Sequence, residues 1–226
     1  MLARIRSVAS VGLNTIPVEV EVDVASRGFP GFTIVGLPGK ATDEAKERVK
    51  TALINSGFGF PPKKITVNLA PADLPKEGAA YDLPIALGIL SANGEIELPL
   101  LDTSSFFYGE LGLDGSLRHT RGTLLLALEA KREGQVKGAS LMTFVPVESS
   151  SEAAVVNGVQ VMPVRSLEQL VEHLQGKKAI KPLQTISLPD LLEVEPEYDF
   201  SEIAGQQSAK RALIIAAAGG HNVLMS

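Results

Sequence analysis

Residues 74–90 read LPKEGAAYDLPIALGIL, and in the helical half of this stretch Ile85, Leu87, Ile89 and Leu90 put apolar side chains on every side of a 3.6-residue period. A helix with no polar face must be covered all round, so it belongs at the centre of a domain. Asp82 is placed to cap it, with Pro84 at its second position. The loop before it is charged and glycine-bearing, the kind of exposed helix head where chemistry is often placed, yet its tip carries Ala79 and Ala80. Lys76 and Glu77 read as loop charges that can pair with each other.

The covering elements can be read from periodicity. Val18, Val20, Val22 and Val24 alternate with Glu19, Glu21 and Asp23, the pattern of a strand with one buried face, and ARIRSVAS before it reads as its hairpin partner. FTIVGL gives a third strand. PGKATDEAKERVKTALINSGF gives a helix capped by Thr42, with Asp43 and Glu44 in its first turn and Gly57 at its left-handed end. That helix buries Ala45, Val49, Ala52 and Leu53, leaving Glu44, Lys46, Glu47, Arg48 and Lys50 as a solvated face. KKITVNLAP is the next strand.

Beyond the apolar helix come a strand SFFYGEL, a turn at Asp114 and Gly115, a short strand around SLRH and a helix over 123–133. A strand LMTFVP, a short helix over 152–156, a strand VQVMPV and a helix SLEQLVEHLQ capped by Ser166 follow. The interleaving predicts an α+β, mixed α/β domain over residues 1–176. Residues 177–198 hold three prolines and no sustained period, a linker. Residues 199–226 read as a loop, a helix, a Gly-Gly stop and the first strand of another domain.

Composition narrows the chemistry. The formal net charge is −5, so nucleic-acid contact needs a local basic patch: Lys63 with Lys64, Arg118 with Arg121, or Lys177 with Lys178 and Lys181. None has aromatics interleaved in sequence, so no stacking platform is visible. The chain has no cysteine, which excludes a disulfide framework, a thiolate metal site and a cysteine nucleophile, and fits a reducing compartment. No signal peptide or bilayer-length apolar run is present, which predicts a cytoplasmic protein without membrane contact. His119, His173 and His221 lie far apart, with no carboxylate at ligand spacing, so no metal site is expected. GFPGFTIVGLPGK ends in Gly-Lys, but Gly36 and Gly39 are too close for a phosphate loop and Ala41 replaces its hydroxyl residue.

The strand ITVNLAPAD, the loop PKEGAAYDLPIALGIL and the later GELGLDGSLRHTRGTLLLALEAKREG together resemble the Lon-type protease domain, whose fold is related to the second domain of ribosomal protein S5. There a serine at the head of the buried helix is the nucleophile and a lysine on a later helix is its base. The resemblance puts the serine position at Ala80, or at Ala79 if the loop slips by one, and the lysine position at or beside Leu124. Lys131 lies about two turns further on. A hydroxyl and an amine are both missing, which implies a protease fold without protease chemistry.

Longer blocks are similar to the YifB/ComM family of magnesium-chelatase-like AAA+ ATPases: VEVEVDVASRGFPGFTIVGLPGKATDEAKERVKTALINSGF, KKITVNLAPADLPKEGAAYDLPIALGIL, YGELGLDGSLRHTRG and the tail DFSEIAGQQSAKRALIIAAAGGHNVLMS. The resemblance implies a Lon-protease-like domain over 1–176 and the start of an AAA+ module over 199–226. In that module Ile203, Gly205 and Gln206 match a nucleotide-site element. It also implies ATP and magnesium in the full-length protein, a homo-hexamer as partner, and either DNA branch migration in natural transformation or a chelatase-type motor that does not act on DNA. The phosphate loop would begin after Ser226, so the sequence reads as truncated and none of these cofactors is expected in this fragment.

Overall fold

The computed structural model describes residues 1–96, 104–187 and 199–225. The chain forms two compact units, Met1–Ser187 and Leu188–Ser226.

In the first unit, β1 (Leu2–Val11) and β2 (Asn14–Val24) form an antiparallel hairpin. β2 pairs antiparallel with β4 (Lys64–Ala70), which pairs parallel with β3 (Gly31–Val35), giving the order β1-β2-β4-β3. The alternation in β2 is realised: Val18, Val20, Val22 and Val24 are buried while Glu19 and Asp23 are exposed. α3 (Asp82–Ala92) lies against β1 and β2, with all but Ser91 of its residues buried. Gly88 allows that approach, since a Cβ there would stand 2.4 Å from Val22 Cγ2.

The single helix expected between β3 and β4 is two: α1 (Lys40–Asp43) and α2 (Ala45–Asn55), broken at Glu44. Thr42 does not cap. Its side chain is fully buried and its hydroxyl is directed at the carbonyls of Lys76 and Gly78, both 2.9 Å away. Asp82 likewise does not cap α3; Tyr81 holds the cap position and Asp82 is the first helical residue, turned inward.

A second sheet is parallel, β5 (Ser105–Phe107), β8 (Met142–Pro146) and β9 (Gln160–Val164) in the order β5-β8-β9. The stretch SFFYGEL breaks at Tyr108 and Gly109, and its second part becomes β6 (Glu110–Leu111), paired with β7 (Leu117–Arg118). α4 (Thr123–Lys137) runs four residues beyond Glu133 to a left-handed Gly138 at φ 67°. α5 (Ser150–Ala154) follows, then α6 (Leu167–Leu174), where Ser166 caps as expected by accepting the Gln169 amide at 3.2 Å. Mixed α/β architecture, with parallel and antiparallel pairing, is therefore present.

Residues 177–187, read as the start of a linker, run along the first unit instead. Ile180 is buried and its amide donates to His173 Nδ1, while the amides of Leu183 and Ile186 donate to the carbonyls of Val161 and Ala154. Three apolar residues spaced three apart suffice for this without a helical or strand period. Residues 188–198 lie outside the described residues.

In the second unit a 3-10 turn, Phe200–Glu202, is closed by a capping box with Asp199, and α7 (Gln207–Gly219) ends at left-handed Gly220. The strand expected after the Gly-Gly stop is not formed over 221–225. Among the described residues no helix is long and apolar enough to cross a membrane.

Candidate functional site

The loop before α3 is fastened from the side of β3. The Lys76 amide donates to the Leu37 carbonyl, the Gly39 amide donates to the Lys76 carbonyl, and the buried Thr42 hydroxyl spans the Lys76 and Gly78 carbonyls. Lys76 itself is wholly buried; its ammonium donates to the Pro71 carbonyl, and burial pulls its pKa below the usual lysine value. The expected pairing with Glu77 is absent among the described residues, because Lys76 turns inward and Glu77 is exposed.

Asp82, the next inward group, meets a residue assigned by sequence to a solvated face. Arg48 Nε donates to Asp82 Oδ2 at 2.8 Å and Nη2 to Oδ1 at 3.1 Å, and Nη2 also reaches the Ala41 carbonyl at 2.8 Å. The Leu111 amide adds a bond to Asp82 Oδ2 at 3.3 Å. Burial pushes the Asp82 carboxyl up to about 6 against the pull of Arg48, and the hydrogen bond that Arg48 donates to Asp82 raises Arg48 in turn. The pair joins α2, α3 and β6 as a buried clamp.

Ala80 is buried, and its carbonyl accepts the Gly109 amide at 2.9 Å. The Gly109 carbonyl takes the Leu83 amide at 3.1 Å. One residue back, the Tyr108 hydroxyl donates to the Arg121 carbonyl at 3.2 Å, just before α4, on which Leu124 stands 38% exposed. The segment Tyr108–Gly109 thus ties the lead-in of α3 to that of α4. The side chains at the two positions are a methyl and an isobutyl group, with nothing to attack a carbonyl or remove a proton. Thr123, next to Leu124, donates its hydroxyl to the Ser149 carbonyl at 2.8 Å, and Ser149 Oγ accepts the Thr120 amide at 2.8 Å.

In the second unit Ile203, Gly205 and Gln206 fall in the turn leading into α7. Gly205 and Gln206 are both left-handed, at φ 70° and 54°, and Lys210 donates to the Ile203 carbonyl. All three side positions are exposed.

The basic residues are distributed as follows. Arg118, Arg121, Lys177, Lys178 and Lys181 are exposed. Lys63 faces a groove of about 520 Å³ between the start of β3 and the flank of α2, with Lys46, Lys50, Phe32 and Phe60 also on its walls. Sequence reading missed this combination because the aromatics come from β3 and from the loop before β4, not from residues interleaved with the lysines. Among the described residues no three His, Asp or Glu side chains gather as a metal site.

A family model described as subunit ChlI of Mg-chelatase matches residues 20–141, and a second, magnesium chelatase subunit ChlI, matches residues 199–226. The protein YifB of Escherichia coli K12 is 40% identical over 225 residues, 99% of this chain and 42% of the relative. The competence protein ComM of Haemophilus influenzae is 42% identical over 229 residues, 99% of this chain and 43% of the relative. The chain therefore spans less than half the length of these relatives.

Proposed function

The chain belongs to the family of subunit ChlI of Mg-chelatase, and from that premise we propose that it is the N-terminal, non-proteolytic part of an AAA+ motor that acts on branched DNA. The observation that carries this reading is the match to the competence protein ComM, 42% identical across 99% of the chain. The first unit is then a Lon-protease-like domain, of the kind related to ribosomal protein S5, in which Ala80 and Leu124 occupy the positions of nucleophile and base. In the second unit Ile203, Gly205 and Gln206 flank the nucleotide, their successive left-handed residues exposing backbone where the adenine end of ATP lies. ATP with magnesium, a homo-hexameric ring and a cytoplasmic setting complete the reading; each is a property of the longer protein.

The test uses a protein of the relatives' full length, with and without residues 1–187. Forked-DNA binding by gel mobility and DNA-stimulated ATP hydrolysis are expected to weaken together when the first unit is removed. Unchanged binding and fork processing would sink the DNA-engaging role. ATP hydrolysis indifferent to DNA but stimulated by a protein partner would favour a chelatase-type motor not acting on DNA, for which the family description is the support. Cleavage of casein by the purified chain would overturn the non-proteolytic reading.

A further inference from the structure

β3 is an outer strand of its sheet. Its inner side faces β4, where the Gly31 amide donates to the Lys63 carbonyl at 3.4 Å. The alternation of a strand turns the backbone groups of Phe32 and Ile34 the other way. Among the described residues none of these outward groups meets another backbone group. The open edge is short, because past Val35 the chain is bonded through Leu37 and Gly39 to Lys76.

Natural edge strands are normally blunted by charge, proline, a bulge or a covering element. Gly31–Val35 reads GFTIV and within the strand has no charge and no proline; Pro30 stands only at its head, and Phe29 before that is 92% exposed. Beside the edge, Lys46, Lys50 and Ile54 stand at i, i+4 and i+8 on one stripe of α2 and form a wall of the 520 Å³ groove. Phe32 and Phe60, with ring centroids 5.9 Å apart, lie between; Lys46 is paired with Asp43 at 2.6 Å, while Lys50 and Lys63 add two further ammonium groups, with Glu47 the one acid on the lining.

We propose that this edge and groove take an extended acidic peptide segment of a partner protein, which adds as a strand beside β3. The peptide backbone pairs with Phe32 and Ile34, alternate apolar side chains enter at Phe32, Phe60 and Ile54, and carboxylates between them meet Lys50 and Lys63. A nucleic-acid strand would use the same lysines but leave the strand amides unpaired, so the peptide accounts for more of the site. The inference does not rest on the DNA reading.

The experiment is selection of a phage-displayed library of random dodecapeptides on the purified chain, followed by synthesis of the enriched peptide. The expected peptide alternates apolar and acidic residues, slows hydrogen exchange at the Phe32 and Ile34 amides, and loses binding when its alternate amides are N-methylated. The double variant Lys50→Glu, Lys63→Glu is expected to weaken it by about tenfold or more. No enrichment, an enriched peptide indifferent to that variant, or unprotected Phe32 and Ile34 amides overturns the proposal. Binding of a fluorescent twenty-residue oligo-dT that the variant abolishes, with no peptide enriched, reassigns the groove to single-stranded nucleic acid.

Discussion

At Asp82 burial and pairing pull in opposite directions, and the outcome can be measured. The carboxyl is fully buried, and burial raises it from 3.8 to about 6 in spite of Arg48. An acid raised on folding binds its proton more tightly in the native state, so its contribution to stability is complete below the unfolded pKa and is lost as pH rises through about 6. Relative to Asp82→Asn, which has no such titration, the wild-type chain is expected to lose about 2 kcal/mol between pH 4 and pH 7. Urea unfolding of both proteins across that range checks it; parallel pH profiles would refute it. The sequence could not disclose this pair. A local rule assigns an acid before an apolar helix to capping, and a charge run on an amphipathic helix to solvent, but Arg48 and Asp82 lie 34 residues apart and meet only when α2 docks beside α3. The same holds for Lys76, a loop lysine by sequence and a fully buried one by structure.

At the scale of elements, α3 against β2 decides whether the core closes. Helix propensity alone favours Gly88→Ala by roughly 1 kcal/mol. Packing opposes it: the new Cβ would fall 2.4 Å from Cγ2 and 3.0 Å from Cβ of Val22, a fully buried residue whose branched side chain has little rotamer freedom. Overpacking a filled core costs about 1–3 kcal/mol, so the net change is expected to be destabilising, with partial recovery in the double variant Gly88→Ala, Val22→Ala. Chemical denaturation of the two variants measures this, and a single variant more stable than the wild type would contradict it. Elements with a strong local signal were legible: β2, β4 and α6 fall where alternation and capping put them, and α3 where its unbroken apolar run does, although Asp82 does not cap it. The breaks were not. α1 separates from α2 because Thr42 turns inward to the loop carbonyls, and SFFYGEL divides because Tyr108 and Gly109 bond to the lead-ins of α4 and α3. Both breaks are made by partners distant in sequence. The groove that joins Phe32 and Phe60 to three lysines was not legible either, since three separate segments build it.

For the whole molecule the two units carry very different weight. The first holds the buried apolar clusters, from Ile5 on β1 to Ile180 beyond α6. In the second, among the described residues, neither the capped turn nor α7 buries a single residue, and Ile214 and Ile215 remain 49% and 50% exposed. α7 has 13 residues. A lone helix below about 12–15 residues is marginal in water, because nucleation is costly and tertiary packing normally supplies its stability. The cooperative unfolding of the chain should therefore belong to the first unit. A chain ending at Ser187 is expected to keep the same calorimetric Tm and to lose only helical signal that melts without a sharp transition. A contribution of even 1 kcal/mol from the second unit would move Tm by about 2–4 °C in a protein of this size, so the comparison is decisive. Hydrogen exchange gives an independent reading: α7 amides should exchange far faster than those of α3, and protection of α7 comparable to that of α3 would show that its apolar residues are packed after all.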